Sequence, residues 1–581
     1  MSDIEPISRE QAIPVSFAQR RLWFISDFEG SNPCYNTPIM LRMRGDLNVA
    51  ALMRAVNALI RRHEALRTRF TISDEEVVQE ILPDLEIEVV YSDLQRISGV
   101  DLEETLAQHL EAEANRPFSL SGEPLVRAYL WQLSQIDHCL LINIHHIVTD
   151  GWSEGILFRE LGVFYSEYVE RPAPKTRVLA SEHRQNLDYA DFVKWELQRV
   201  TSGMYDRQLA YWKERLSGLP ARLPLPFDRF ERHADLTRVG GWVDVEIPQN
   251  LQIHLASQQS RTSLFANLAT VFAAVLHHWS GTQDLLIGTP LANRMRPEWE
   301  SVVGLFVNTA AVRVQVSDGQ TLAGLLEQVQ QSIVEAAANQ EVPFDQVVDA
   351  LAVNRSTGVN PVYQVMCTVN EAIPAPELPC IEVTEVQELR TRTAKFDLEL
   401  KASYTDRDVR CWLEFPDSLF DESTVEGFSR DCTAVLSTLL KSPQCPLADL
   451  PIQRRRFPDH EVQVLSPEDP LVLSAPQVST LTQLAAVWKS VLGIDSIGSA
   501  SHFFRSGGNS LLATRLVLRI RKEWDIEPTV QIIFDNPVLS ELAAKIDLMV
   551  REARDEDRRL AEEELANLSE QEIDRLLDSG E

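Results

Sequence analysis

The chain has 581 residues, of which 44% are hydrophobic and 24% are charged, and its formal net charge is −31 at pH 7. This length exceeds what one hydrophobic core sustains, so several domains are expected. The acidic balance excludes nucleic acid as a partner, because affinity for phosphate backbones comes from clustered Lys and Arg, and no apolar run approaches the roughly 18 residues of a membrane span.

The first residues contain neither a secretory signal nor an Arg-rich transit peptide, so a cytoplasmic location is expected. The seven cysteines are scattered and form no CxxC pair. We therefore predict reduced thiols, no disulfide framework and no metal site.

Residues 13–455, after a short extension over residues 1–12, combine helical periodicity with β-branched runs. The amphipathic segment Val49–Leu66 predicts a helix, and Glu86–Tyr91 and Cys139–Ile144 predict strands. This part of the chain is therefore predicted to be α/β.

A polar, proline-bearing segment over residues 456–478 predicts an interdomain linker. Residues 479–550 predict a small bundle of three or four helices, beginning with Leu481–Leu492 and ending with Val538–Val550. A separate small helical domain is expected there.

Residues 551–581 are acidic and contain no aromatic side chain. Ser569–Glu572 has the pattern of a capping box, and Ile573, Leu576 and Leu577 follow at helical spacing. Such a stripe is typical either of a frayed tail or of a helix that folds onto a partner's groove, and the sequence leaves both open.

The most informative local feature is the segment His145–Gly151, with the sequence HHIVTDG, directly after an apolar strand. A polar cluster at a strand end can hold a site rigidly and still leave it open to substrate. An arbitrary pair of histidines is more often structural, and we interpret His277 and His278 in that way because no Asp-Gly follows them.

Seven segments, in the same order along the chain, resemble motifs of the condensation-domain family of nonribosomal peptide synthetases. They are Ser16–Trp23, Arg62–Phe70, His145–Gly151, Tyr189–Phe192, Ile287–Arg294, Gly304–Thr309 and Val342–Asp345. The third matches the family's HHxxxDG pattern. The segment Asn354–Pro361 is a looser version of the final motif.

The resemblance implies two chloramphenicol-acetyltransferase-like lobes, about residues 13–185 and 186–455, with the histidines in the channel between them. It implies acyl transfer from a donor thioester to an amine, forming an amide. By the same resemblance His145 and His146 are both expected to be catalytic residues. His146 is assigned to proton transfer and amine positioning, since a histidine can accept a proton near neutral pH.

The remaining motif residues receive supporting roles by the same resemblance. We predict that Asp150 is structural and pairs with Arg294, because an Arg fork holds a carboxylate bidentately. Gly151 is expected to let the backbone approach the thioester and to offer its N–H to the developing oxyanion. Asn308, in the sixth motif, is expected to support the site.

A second resemblance covers the helical domain. Phe503–Thr514, with the sequence FFRSGGNSLLAT, and Ile532–Pro537 resemble the peptidyl carrier family. The resemblance implies that Ser510 carries 4'-phosphopantetheine, although an isolated GGxS segment is more often only a helix cap. The expected fold is therefore a two-lobed α/β condensation domain followed by a small four-helix carrier domain.

No adenylation domain fits between these two domains, so Ser510 is expected to be loaded by a separate adenylation protein. The other expected partners are an upstream donor carrier protein, a phosphopantetheinyl transferase and a downstream synthetase subunit that docks on the C-terminal stripe. The short N-terminal extension leaves no room for a docking domain of its own.

Two other functions stay open. Ester formation or another acyl transfer would use the same histidine with a different acceptor. An inactive docking or recruitment scaffold would use the fold alone, although such modules tend to lose the second histidine. Epimerisation and heterocyclisation are disfavoured, because the carrier follows the large domain and the histidine pair is intact.

Overall fold

A computed structural model describes residues 4–30, 32–97, 99–170, 187–218, 223–229, 239–248, 261–351, 362–405, 407–452, 478–494, 496–508 and 510–567. The predicted linker lies almost entirely outside these residues. Asn354–Pro361 and Ile573–Leu577 also lie outside them. The chain forms two compact units, a large one within residues 1–458 and a small one within residues 459–581.

The strands of the large unit are numbered in chain order. They are β1 (Ile13–Pro14), β2 (Asn36–Gly45), β3 (Thr68–Ser73), β4 (Glu76–Ile81), β5 (Val89–Asp93), β6 (Val126–Gln132), β7 (Asp137–His145), β8 (Gly240–Asp244), β9 (Asp284–Leu291), β10 (Asn308–Gln315), β11 (Val365–Glu371), β12 (Ile381–Glu388), β13 (Leu398–Tyr404) and β14 (Val409–Pro416).

The helices of the large unit are also numbered in chain order. They are α1 (Phe17–Glu29), α2 (Val49–Arg62), α3 (Val100–Ala114), α4 (Gly151–Glu170), α5 (Tyr189–Thr201), α6 (Asp206–Arg215), α7 (Arg261–Ser280), α8 (Leu322–Ala338), α9 (Phe344–Leu351) and α10 (Glu422–Lys441).

Two open sheets organise the large unit, with a small sheet β1-β4-β3 beside them. The five-stranded sheet has the order β12-β2-β7-β6-β5, and the six-stranded sheet has the order β10-β9-β11-β13-β14-β8. Strand β12 comes late in the chain, yet it pairs antiparallel with β2 in the first sheet. The predicted α/β class is confirmed.

The helices pack on these sheets because their apolar faces match the core. Helix α2 buries Leu52, Val56 and Leu59 at helical spacing and ends at Arg62, slightly before the predicted Leu66. In the second half of the unit, α7, α8 and α10 share one large core with the six-stranded sheet. The predicted strand at Cys139–Ile144 lies within β7, whose residues are almost all buried.

The small unit contains helices α11 (Val478–Leu492), α12 (Ser510–Trp524), α13 (Gln531–Asp535) and α14 (Leu539–Asn567). The prediction that the last helix ends near Val550 was wrong, since α14 continues into the predicted tail. Residues 551–567 are rich in Ala, Glu and Arg, which favour helix, and Arg559 lies 3.8 Å from Glu556 at the i,i+3 spacing.

Candidate active site

A cavity of about 310 Å³ in the large unit contains the second histidine of the HHIVTDG segment. Its lining includes Gly151 in the first turn of α4, Glu196 on α5, and side chains of β11, β13 and β14 in the six-stranded sheet. Residues from both large sheets, far apart in the sequence, therefore face one space.

Three of the sequence motifs meet at one buried tyrosine beside this cavity. The Tyr189 hydroxyl lies 2.5 Å from the Leu305 carbonyl oxygen and 2.8 Å from Ser16 Oγ. A Cβ atom at Gly304 would lie 2.1 Å from the Tyr189 ring, so only glycine fits there. The motifs are therefore parts of a single packed frame.

His146 lies at the end of β7, in a short 3₁₀ turn, and lines the cavity. Its Nδ1 is 2.8 Å from the carbonyl oxygen of Thr149. A carbonyl can only accept, so Nδ1 carries the hydrogen and Nε2 is the basic nitrogen of the neutral ring. The turn thereby fixes the tautomer that a proton acceptor needs.

Burial lowers the pKa of His146, and the positive charge of Lys395 lowers it further. Lys395 also lines the cavity, with Nζ 4.9 Å from the centre of the Tyr35 ring. The neutral imidazole consequently persists to a lower pH than in an exposed histidine.

His145 is placed differently from its neighbour. Its side chain is not among the cavity-lining groups; it packs edge-on to Phe118, at 6.0 Å between ring centres, and its Nδ1 accepts the Ile147 N–H at 3.1 Å. Burial lowers the pKa of His145 to about 3, so the ring stays neutral. The prediction that His145 takes part in catalysis finds no support in this geometry.

Asp150 forms the predicted pair with Arg294. Arg294 Nη2 donates to both carboxylate oxygens, at 3.0 and 3.3 Å, and the two side chains are 1% and 2% exposed. Asp150 also accepts the Ser153 N–H at 2.8 Å, the Ser153 hydroxyl at 2.7 Å and the Phe306 N–H at 3.0 Å. The carboxylate is fully engaged and joins the start of α4 to the segment before β10.

Asn308 has no polar atom left for a substrate. Its Nδ2 donates to the carbonyls of Gln340 and Val342, at 2.8 and 2.7 Å. Its Oδ1 accepts from Thr309 N at 2.9 Å and Phe344 N at 3.1 Å. It supports the cavity by fixing the segment before α9.

Gly151 is the first residue of α4 and lines the cavity. The first amides of a helix have no partner within the helix, so this position suits a backbone donor. A Cβ atom here would meet only Asn370 Nδ2, at 3.9 Å. The fold itself does not require glycine at this position, so an added methyl group would occupy space of the cavity.

Sequence reasoning missed a second set of polar residues in the same cavity. They are Glu154, Glu196, Lys395, Glu399, Lys401 and Glu414. Burial raises the pKa of Glu196 to about 7 and raises those of Glu154 and Glu399 above their ordinary values. The sequence does contain one pattern that indicates such residues, because charged side chains alternate with apolar ones in Leu398–Tyr404.

In the small unit, α12 begins at Ser510, the residue predicted to carry phosphopantetheine. Gly507 has φ +98°, and a Cβ atom at Gly508 would lie 2.5 Å from the Phe503 ring. Both glycines are therefore required by the turn that leads into the helix. A helix N-terminus favours a phosphate group, so this position fits the phosphodiester of the cofactor.

Among the described residues, no group of three or more His, Cys, Asp or Glu side chains could hold a metal ion. All seven cysteines are free thiols. Within the same described part of the chain, no helix is long and apolar enough to cross a membrane.

Comparison with known families gives two matches. The family described as "Condensation domain" matches residues 9–457, and "Phosphopantetheine attachment site" matches residues 482–546. These ranges contain the cavity and Ser510, respectively.

Known proteins resemble this chain in sequence and in structure. Malpibaldin synthetase of Mortierella alpina is 36% identical over 448 residues, 76% of this chain and 8% of that protein. Phosphinothricin tripeptide synthetase PhsC of Streptomyces viridochromogenes is 34% identical over 463 residues, which are 79% of this chain and 42% of that protein. The X-domain from teicoplanin biosynthesis matches with a TM-score of 0.67 and 27% identity, over 78% of this chain and all of that one. The chain spans less than half the length of these two synthetases.

Proposed function

The chain belongs to the condensation-domain family of nonribosomal peptide synthetases, a family of C–N bond-forming acyltransferases, and carries a phosphopantetheine attachment domain. We propose that its large unit joins a donor acyl or peptidyl thioester to an amine acceptor and so forms an amide. The observation that carries this proposal is a half-buried histidine of fixed tautomer, with its basic Nε2 available in a cavity lined by both sheets.

In this reaction the amine nitrogen attacks the thioester carbonyl carbon. His146 Nε2 accepts the proton that the nitrogen loses as the tetrahedral intermediate forms. The C–S bond then breaks, and the departing thiolate takes this proton back from His146 and leaves as the thiol. General-base assistance of this kind contributes about 10² to 10⁴ in rate. An α-amino group titrates near 7.7 to 8.0, so a usable fraction is neutral before it binds and a strong base is unnecessary.

The other motif residues act around His146. The Gly151 N–H is assigned to the oxyanion, at the positive end of the α4 dipole. Asp150 and Arg294 are positioning residues, because both carboxylate oxygens and both terminal guanidinium nitrogens are engaged with each other, with Ser153 and with the backbone. Asn308 positions the cavity wall in the same way.

In the small unit, Ser510 is the proposed attachment residue. The cofactor supplies a flexible thioester arm, which keeps the acyl group at high local concentration near the large unit. The turn through Gly507 and Gly508 presents Ser510 at the start of α12. We assign loading of the acceptor to an adenylation protein acting in trans, donation to an upstream carrier protein, and product transfer to a downstream synthetase that docks on the C-terminal tail.

The test uses the full chain with coenzyme A and a phosphopantetheinyl transferase, followed by intact mass measurement of wild type and Ser510→Ala. One pantetheinyl addition that is lost in the variant supports the attachment site. The holo protein is then supplied with a donor acyl-carrier and with amine or hydroxyl acceptors. An amide product that disappears in His146→Ala supports the proposal; an ester product alone, or no product with any acceptor, contradicts it.

A further inference from the structure

Asn370 is a cavity-lining residue that belongs to none of the sequence motifs. It lies near the end of β11, and side chains alternate between the two faces of a strand, so it shares a face with Met366 and Thr368. These three residues line the cavity, whereas Val365 and Cys367 belong to the core on the other face of the sheet. The carboxamide of Asn370 therefore faces the cavity.

This carboxamide lies beside the start of α4, where the HHIVTDG segment ends. Asn370 Nδ2 is 3.9 Å from the position that a Cβ atom would take on Gly151. Apart from the chain neighbours of Gly151 and the backbone of α4 itself, no other heavy atom of the described chain lies within 4 Å of that position. Gly151 and Asn370 therefore border the same part of the cavity.

The segment that follows β11 packs along α4 and holds this arrangement in place. Pro374 Cδ lies 3.9 Å from the Cβ position of Gly155, the next glycine of the helix. Further along α4, the backbone oxygen of Glu377 lies 2.8 Å from the Cβ position of Gly162, so any larger residue there would collide with the segment. The end of β11 is thus fixed against the helix that begins at Gly151.

The Asn370 carboxamide also has hydrogen-bonding capacity to spare. It is exposed, and within the described part of the chain it makes no hydrogen bond. A carboxamide offers two N–H donors. Asn308, which lines the same cavity, uses its amide hydrogens and its oxygen entirely on backbone groups. Asn370 can therefore donate to a ligand without breaking a bond within the described protein.

The space between Asn370 and Gly151 suits the atom on which negative charge develops in the proposed reaction. When the amine attacks, the π electron pair of the thioester carbonyl moves to the oxygen, which is an oxyanion until the C–S bond breaks. Donors at about 2.7 to 3.1 Å from that oxygen stabilise the charge, and such sites combine backbone N–H groups with side-chain amides. The first N–H of α4 has no acceptor within the helix. An oxygen in this space would meet one donor of each kind.

We propose that Asn370 is a catalytic residue, and that its Nδ2 donates to the carbonyl oxygen of the donor thioester beside the Gly151 N–H. The inference rests on the proposed function, which assigns that N–H to the oxyanion. His146 Nε2 handles the amine proton, so different groups serve the nitrogen and the oxygen of the tetrahedral centre. No further reactant is needed, because the oxyanion returns its electron pair to the carbon when the thiol leaves.

The first test is single-turnover amide formation by the full holo chain over a range of donor acyl-carrier concentrations. Asn370→Leu removes the donors at nearly constant size, and Asn370→Gln keeps a carboxamide. Gln108→Leu, which removes an exposed carboxamide on α3, is the control. Urea unfolding of each variant shows whether it is folded, and Asn370→Ala gives the same comparison if Asn370→Leu is not.

Loss of one oxyanion donor lowers kcat by about 10² to 10³. We expect a loss of this size in Asn370→Leu with KM within about twofold of wild type, because the bond to the oxyanion exists only in the transition state. Asn370→Gln should recover part of the rate, and Gln108→Leu should match wild type. A folded Asn370→Leu protein with wild-type kcat overturns the proposal, and so does a loss confined to KM.

The second test requires no turnover. The probe is N-acetylalanyl pantetheine with an amide in place of the thioester, labelled with ¹³C at that carbonyl, and its carbonyl stretch is recorded by infrared difference spectroscopy at saturation. A hydrogen bond to the carbonyl oxygen lowers this frequency, so the stretch should lie higher in Asn370→Leu than in wild type or in Gln108→Leu. Equal frequencies in wild type and Asn370→Leu overturn the proposal.

The proposed function can fail separately. If the carbonyl stretch depends on Asn370 and the holo protein forms no amide with any acceptor, the oxyanion donor stands and the amide-forming assignment falls. If amide forms with the same kcat in wild type and Asn370→Leu, the amide-forming assignment stands and the catalytic role of Asn370 falls.

Discussion

Replacing Asp150 by Asn removes the charge that compensates Arg294 without changing the shape of the side chain. Both partners are almost completely buried, at 1% and 2% exposure. Breaking a buried pair by removing one partner costs about 3 to 5 kcal/mol, because the other charge is left without compensation. The new amide N–H₂ would also face donors that now reach the carboxylate, namely Arg294 Nη2 and either Ser153 N or Phe306 N. We therefore expect the upper half of that range.

The assay is equilibrium unfolding in urea, followed by tryptophan fluorescence and far-ultraviolet circular dichroism, with the loss taken from the midpoint and a shared slope. The matched control is Glu341→Gln, which breaks the Arg199–Glu341 pair at 3.2 Å with both side chains 22% exposed. Because water screens that pair, its loss should be below about 1 kcal/mol. The double variant Asp150→Asn, Arg294→Gln should recover part of the stability, since no charge is then left stranded.

One outcome refutes this reasoning directly. If Asp150→Asn unfolds at the wild-type midpoint and loses only turnover, Asp150 acts on the substrate and its contact with Arg294 is incidental. If the double variant is less stable than Asp150→Asn by the full cost of a second buried deletion, the stranded charge is not the cause of the loss.

Three further predictions follow from the site. Burial and Lys395 lower the pKa of His146, so the acid limb of the pH profile of kcat/KM should lie below pH 6.5. Lys395→Met should shift this acid limb to higher pH. An acid limb that does not move contradicts the role of Lys395. Gly151→Ala should lower kcat/KM at least tenfold with an unfolding midpoint close to wild type, whereas Gly162→Ala, whose Cβ would lie 2.8 Å from a backbone oxygen, should lose stability. Burial lowers the pKa of His145 to about 3, so below about pH 6.5 the unfolded chain takes up a proton that the folded chain does not. The free energy of unfolding should therefore fall by about 1.4 kcal/mol per pH unit from pH 6.5 toward 3. Urea titrations of His145→Asn at pH 7, 6 and 5 should lack this contribution.

The sequence predicted what depends on local pattern. The HHIVTDG segment lies at the end of a buried strand, α2 follows its apolar periodicity, and α12 begins at the predicted Ser510. The contact between Asp150 and Arg294 spans 144 residues, and it was predictable only because the family resemblance placed both in motifs.

The rest depends on pairing between distant strands. Nothing local to Glu399 reveals that Glu414 lies opposite it or that this face of β13 borders a cavity, since register and sheet order decide both. The different surroundings of His145 and His146 also escaped prediction. Adjacent residues at a strand end point to opposite sides, and only the packing of Phe118 shows which side is closed.

A lowered pKa at His146 is compatible with its role as a base. In the tetrahedral intermediate the attacking nitrogen carries a positive charge and is far more acidic than the free ammonium, so transfer of its proton to a weak base is still favourable. The lowered pKa keeps Nε2 free of a proton in the resting site, and the bond from Nδ1 to Thr149 keeps that nitrogen available to the cavity. Nε2 of His146 is thus a weaker base held in a fixed orientation. Positioning of the reactants can supply effective molarities of about 10⁵ M or more. We expect Thr149→Val, a change of similar size at this fully buried position, to keep the acid limb of kcat/KM where it is in the wild type, because the contribution of Thr149 to His146 comes from the backbone carbonyl.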